Sequence, residues 1–407
     1  MVRSLNPFRV LVTHRNFRIF WVGQTLSLIG TWMQSMAQGW LALELSDSAF
    51  AVGLVASAGS LPILLLSLPA GVLIDRRSKL RLVTVAQSLL LTEAVLLWWF
   101  VWSGNITIGW LLTFAIAAGA ISAVEIPARQ SMMIELVGRD DLRDAIALNS
   151  SGFNLARIFG PGVAAVIIAK LGIAWCFGLN ALSYLTVLVG LGLIKLPAWR
   201  PSPVLVSPLE GIREGISYIR RTREVRALIE MVTVYSILGI PYLTLMPVVA
   251  RDLLRTGAAG YGALLTCVGI GGLSGALALA AVGSRVRRGR LLAFSSFAFP
   301  VLLIGFSLSR WVVVSYPVLL LTGFMMILNN AVANGLLQTI VPDAFRGRLM
   351  SVYSLIVVGL SQVVGALFAG AVARAFGVQW AVGGAAGILL LFGISAFARF
   401  PFIRDLR

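Results

Sequence analysis

The chain has 407 residues, of which 58% are hydrophobic and only 12% charged, and its mean hydropathy is +0.92. Soluble domains carry about 25% charged residues and need them to cover their surface, so this composition excludes a water-soluble globular protein and calls for lipid as the surroundings. The formal charge of +17 does not indicate nucleic acid as a partner, because the basic residues fall in short clusters between apolar runs and form no continuous basic face.

A helix that crosses a bilayer needs about 20 mainly apolar residues. Runs of that length follow one another along the chain, broken by short polar stretches. The first, 17–45, is too long for the apolar stretch of a signal peptide and reads as an uncleaved first span. Further spans are expected at 50–74, 80–103, 107–136, 143–169 and 173–194. After a polar stretch, six more follow at 226–250, 258–283, 290–308, 312–341, 347–373 and 378–399. The expected architecture is an all-α membrane protein of twelve transmembrane helices in two pseudo-symmetric six-helix halves, 1–194 and 226–407, joined by a linker, 195–225. Within the linker, Leu209, Ile212, Ile216 and Ile219 recur at helical spacing with Arg and Glu between them. That pattern predicts an amphipathic helix along the membrane surface, where its basic residues suit anionic lipid. A plain tether between halves is the alternative.

Basic residues set the orientation. Loops on one side hold clusters such as Arg76, Arg77, Lys79 and Arg81, whereas the opposite loops hold only Lys170, Arg251, Arg255, Arg310 and Arg374. Both termini and the linker are therefore expected in the cytoplasm. Cys176 and Cys267 lie inside apolar runs and read as small buried thiols. The single histidine, His14, precedes the first span, so no histidine within the membrane can relay protons. No Walker loop and no metal or nucleophile motif occurs in the sequence; neither a cofactor, a metal nor an enzymatic activity is expected.

The loop after the second span reads Gly71-Val-Leu-Ile-Asp75-Arg76-Arg77-Ser-Lys79-Leu-Arg81. Gly71 permits close helix approach, and Asp75 suits the amides and dipole at a helix start. Here the sequence resembles the major facilitator superfamily, whose signature loop between helices two and three has this form. The resemblance implies that Asp75 latches the halves together near Arg346 and Arg348. The matching place in the second half, near Ser284 and Arg285, lacks an acid. A closer resemblance is to the drug- and siderophore-exporting branch that includes enterobactin and macrolide exporters. It rests on Gly30-Thr-Trp-Met-Gln34 with Gln38-Gly-Trp40, on Pro127-Ala-Arg129-Gln130, on Ala145-Ile-Ala-Leu-Asn149-Ser150, on Asn154-Leu-Ala-Arg157 with Gly160-Pro161, and on Pro342 followed by Arg346-Gly-Arg348-Leu-Met350-Ser351. Many relatives carry an acid in helix one where this chain has Thr31. Gly160-Pro161 resembles the glycine-proline motif of antiporters, although Ala164-Ala165 replace the usual glycine pair. A proline inside a helix removes a backbone hydrogen bond and bends the helix; a pliable point for alternating access and a static packing kink both fit.

Charges within spans are costly unless paired or hydrated, at about 2.5–3.5 kcal/mol on insertion scales. They occur as Glu93, Glu125, Arg129 and Arg157. Glu125 and Arg129 are four residues apart and share a helix face. The depths of Glu125 and Arg157 are similar, so a Glu125–Arg157 or an Asp75–Arg129 pair is expected. Glu125 is the candidate exchangeable carboxylate with Arg157 tuning it, and a static ion pair is the equal alternative. Glu93 sits in a helix that is often peripheral in this fold. By the same resemblance, spans one, four, seven and ten line a central cavity. Gln24, Thr31, Trp32, Gln34 and Gln38 of span one, Tyr235 and Tyr242 of span seven, and Asn329, Asn330, Asn334 and Gln338 of span ten are its candidate lining. Amides beside aromatic rings suit amphipathic organic molecules, and interhelical hydrogen bonding is the competing explanation.

The expected function is a monomeric secondary transporter in a bacterial inner membrane. It exports a small amphipathic compound (drug, siderophore or metabolite) in exchange for protons. An uncoupled facilitator or lipid transporter of the same fold is the alternative, and a non-transporting receptor ranks last.

Overall fold

With no water in the bilayer core, backbone amides and carbonyls must pair within the chain, and helices achieve this segment by segment. The computed structural model describes residues 8–196, 208–282 and 286–406, and it is helical throughout with no strand among them. The first half comprises α1 (Arg9–Thr13), α2 (Arg15–Ser46), α3 (Ala49–Asp75), α4 (Lys79–Trp102), α5 (Ile108–Val137), α6 (Leu142–Leu171) and α7 (Ala174–Leu193). A short helix, α8 (Pro208–Arg221), precedes the second half. There α9 (Arg223–Val234) continues through a π-turn, a 3-10 turn (Ile240–Leu243), the three-residue α10 (Met246–Val248) and a second π-turn ending at Leu253. Then follow α11 (Gly257–Val282), α12 (Arg288–Leu308), α13 (Val312–Ile340) and α14 (Asp343–Ser354). A π-helical stretch (Leu355–Gly365) leads into α15 (Ala366–Phe376), and α16 (Val378–Arg399) ends the bundle.

Eleven helices among the described residues are long and apolar enough to cross a membrane. The remaining expected span, α2, has 32 residues, but its glutamines, serines and glycines dilute its hydropathy. Local chemistry marks several helix starts. The Ser78 side chain accepts the Arg81 amide at 3.4 Å and that of Thr107 accepts the Trp110 amide at 3.3 Å, capping α4 and α5. Prolines stand inside α3, α5 and α6 at Pro62, Pro69, Pro127 and Pro161, where neighbouring helices compensate the lost backbone bonds. Large apolar side chains such as Leu65, Val189, Val313 and Leu391 stay exposed on the outside, as a lipid-facing surface requires.

In the first half, α2 packs on α6 and α7, α3 on α5, and α4 on α5 and α7. In the second, α11 and α12 pack on α13, and α12 also packs on α16. The halves meet along two seams, α6 against α11 and α3 against α15 with the π-helical stretch before it. Both seams lie toward the end that carries Asp47, Gly172 and Phe376. There the Ser57 hydroxyl donates to the Val363 carbonyl at 3.0 Å, and Arg251 pairs with Asp47 at 2.6 Å. Among the described residues that is the one ion pair joining the halves.

The opposite end, which carries Asp75 and Gly138, differs from expectation. Asp75 is exposed and joins no ion pair among the described residues, and Arg129 is paired with Glu125. Arg346 pairs with Asp343 at 2.7 Å and Arg348 with Glu214 of α8 at 2.5 Å. The expected Asp75 latch is therefore not made in this conformation, because the halves part at that end. Ser284 and Arg285 lie outside the described residues, as does the linker at 197–207. The predicted amphipathic helix exists as α8, but it rests on protein. Ile219 is buried, Tyr218 stacks on Phe345 of α14 at 4.7 Å, and Ile216 remains exposed.

Candidate functional site

The seams roof a cavity of about 440 Å³ between the halves. From α2 it receives Trp32, Ser35 and Gln38, and from α3 Ser60 beside Val52 and Val55. Ser122 of α5 and Arg157 and Pro161 of α6 complete the first half's wall. The second half contributes Thr244, Tyr261, Leu265, Val268 and Gln362. Above it, Trp40 stacks on Tyr261 with ring centroids 6.2 Å apart. The site has the size and the mixed apolar and amide character of a small-molecule pocket.

Gly160-Pro161 stands where α6 meets both of its principal neighbours. A Cβ at Gly160 would come within 2.5 Å of the Trp32 Cβ on α2, and one at Gly262 of α11 would come within 2.6 Å of the Pro161 carbonyl. Small residues thus let α2 approach on one face and the opposite half on the other. Gly71 has open space around the position a Cβ would take, and Arg76 is exposed; the signature loop is held within the first half, where Ile74 is buried and Lys79 pairs with Glu135 of α5 at 2.5 Å.

Of the span-one candidates, Trp32 and Gln38 line the cavity, whereas Gln24 and Gln34 are buried within the first half. Gln34 accepts from Asn180 of α7 at 2.7 Å and donates to Glu93 of α4 at 3.3 Å. The Thr31 hydroxyl donates to the Ser27 carbonyl at 3.0 Å, within its own helix. Tyr235 donates to the Ser296 carbonyl, and Tyr242 points at the Met326 sulfur at 3.9 Å. Both tyrosines are core packing, because the π- and 3-10 turns of their span rotate them toward α12 and α13. Asn329 donates to Ser295 and Ser296 at 3.1 and 2.9 Å and ties α13 to α12. Asn330, Asn334 and Gln338 instead line an open concavity of about 540 Å³ with Arg288 and Tyr353. Steps of four residues put these three on one stripe of the helix, and Asn329 falls just beside it.

Glu125 and Arg129 form a buried ion pair at 2.8 Å, and Gln87 donates to the same carboxylate oxygen at 3.0 Å. The expected Glu125–Arg157 pair is absent. Arg157 points into the cavity with its guanidinium carbon 6.0 Å from the centre of the Trp32 ring, and it joins no ion pair among the described residues. Glu93 is buried with one carboxyl oxygen unpartnered. Sequence reasoning missed Asn180 of that network, the serines and Gln362 of the cavity, and the Asp47–Arg251 bridge. Only the bridge left a signal, since Arg251 is one of the few cations on the sparsely basic side.

Two helical halves around a central cavity, sealed at one end, define a membrane transporter of the major facilitator type, not an enzyme. The chain belongs to the family described as transmembrane secretion effector, which matches residues 3–404. It is 27% identical over 339 residues to the staphyloferrin A transporter of Staphylococcus aureus, covering 82% of this chain and 84% of that one. It is 26% identical over 386 residues to the multidrug efflux pump Tap of Mycolicibacterium fortuitum, covering 93% of each. The fold superposes with a TM-score of 0.74, at 14% identity and over 99% of both chains, on a bacterial homologue of the human lysosomal transporter Spinster solved inward-facing and unoccupied.

Proposed function

We propose that this chain exports a small amphipathic organic compound from the bacterial cytoplasm in exchange for protons. The halves 1–194 and 226–407 would rock about the central cavity, with both termini and the linker 195–225 cytoplasmic and the single chain as the working unit. The supporting observation is the asymmetry of the joint between halves: tight packing and the Asp47–Arg251 bridge at one end, an unmade Asp75 latch at the other. That is one state of an alternating-access cycle. The positive charges gather at the open end, which supports a cytoplasmic position for it. The two relatives, a staphyloferrin A transporter and a multidrug efflux pump, support a small organic cargo. Gly160-Pro161 is placed to flex where α6 passes between α2 and α11.

Proton coupling requires a carboxylate that exchanges protons during the cycle. Glu125 is the proposed group, with Arg129 as its counter-charge, and Glu93 is the second buried carboxyl. Uncoupled facilitation has its own support, because no acid lines the cavity among the described residues. Proteoliposomes separate the two. With coupling, an imposed proton gradient drives uptake into inside-out vesicles; Glu125→Gln abolishes that uptake while keeping substrate counterflow. Full gradient-driven transport by Glu125→Gln removes Glu125 from the role, and wild-type flux that ignores the gradient establishes the facilitator.

A further inference from the structure

Among the described residues, the cavity holds one charge and no counter-charge: of those that line it, Arg157 is the only charged side chain. The acids that could have neutralised it are engaged elsewhere, Glu125 with Arg129 and Gln87, and Glu93 with Gln34. Across the cavity the second half offers Thr244, Tyr261 and Gln362, and again no carboxylate. Buried cations are normally paired, because removing them from water is costly. Water can hydrate Arg157 while the cavity is open at the Asp75 end. When the cavity occludes, that water must be replaced.

We propose that the missing partner is the substrate: the transported molecule is a small organic anion, and Arg157 binds its carboxylate or similarly placed oxyanion. A guanidinium presents a planar fork of donors that matches such a group in two parallel hydrogen bonds. Trp32 sets the guanidinium in place from one side, and it is itself braced edge-on by Phe153, ring centroids 5.7 Å apart. Beyond the charge, Val52, Val55, Leu265 and Val268 provide an apolar bed for the rest of the molecule. The inference deepens the exporter reading and rests on it. It also gives a physical reason for tight coupling between loading and turnover. Closing the empty cavity strands a cation away from water, whereas closing it over an anion does not.

The probes are 5-carboxyfluorescein as an aromatic organic anion and rhodamine 6G as its cationic counterpart. Binding to the purified full-length protein is read by fluorescence anisotropy in phosphatidylcholine nanodiscs. Wild type is expected to bind the anion. Arg157→Gln should weaken that binding by about tenfold or more, Arg157→Lys should restore part of it, and rhodamine 6G binding should not weaken in either variant. Equal anion affinity in wild type and Arg157→Gln overturns the proposal. So does an equal loss for both dyes, which would mark Arg157 as a structural residue. An anionic headgroup of the bilayer shares the chemistry, and nanodiscs of phosphatidylglycerol test it: carboxyfluorescein binding should survive there, and its abolition assigns the site to lipid and overturns a soluble cargo. Rhodamine 6G flux into proteoliposomes is scored separately. If that flux is intact while anion binding ignores Arg157, the exporter reading stands and only the anion inference falls.

Discussion

Gly262→Val is expected to hold the sealed end of the transporter open and to cut transport by more than about tenfold. At Gly262 the two halves touch: a Cβ would lie 2.6 Å from both the Pro161 carbonyl and the Ala165 methyl, and 3.2 Å from the Met36 methyl. Backbone carbonyl and helix axis cannot yield as a flexible side-chain tip would. Overpacking of this kind costs about 1–3 kcal/mol. The penalty falls on the closed arrangement, because in the opened one the halves separate there. A shift of 1.4 kcal/mol changes a two-state ratio tenfold. The readout is a cysteine at Ser60, on the cavity wall, in a background with Cys176 and Cys267 replaced. A membrane-impermeant maleimide added to intact cells should leave this cysteine unlabelled in the parent and label it rapidly in Gly262→Val. Equal protection in both would show that the α6–α11 seam is not the seal.

The second large effect concerns the ion pair inside the first half. Arg129→Met leaves Glu125 buried and without its counter-charge, with the Gln87 amide still donating to it. Removing one partner of a buried pair typically costs 3–5 kcal/mol, because the remaining charge is stranded. Native stability is itself only about 5–15 kcal/mol. The variant is therefore expected to lose monodisperse protein in detergent, or to lower the midpoint of thermal unfolding by at least about 5 °C. The double variant Glu125→Gln with Arg129→Met should recover most of the loss, since neither charge remains, and the cycle of four proteins isolates the coupling. A single variant as stable as the parent would mean that the pair is not holding α5 in place and that water reaches Glu125.

That Glu125 and Arg129 share a helix face was legible, because a spacing of four fixes their relation whatever the rest of the chain does, but the pairing expected for each was with another helix, and they pair with one another instead. Arg157 was recognised as unusual for lying in an apolar run, yet its assigned partner was wrong. Similar depth in two helices says nothing about the direction in which each side chain points. Span ten shows the same limit. Four amides at neighbouring positions looked equivalent, but the rotation of α13 sends Asn329 to the serines of α12 and the others to open space. The linker helix was readable from its isoleucine spacing, whereas the surface that covers it was not.

The sequence by itself determined that this chain lives in lipid, where its helices begin and end, which end bears the positive charge, and which rare charges are buried. Those properties follow from hydropathy over about 20 residues and from contacts within a turn or two, so they survive without knowledge of neighbours. Tertiary structure alone decided the rest: that Arg157 faces an uncompensated cavity, that Arg251 reaches Asp47, that Arg348 holds Glu214 in place of Asp75, and that Gly262 seats against Pro161. Each of these joins segments far apart in the chain, and helix rotation and the conformational state, neither of which local spacing encodes, choose the partners.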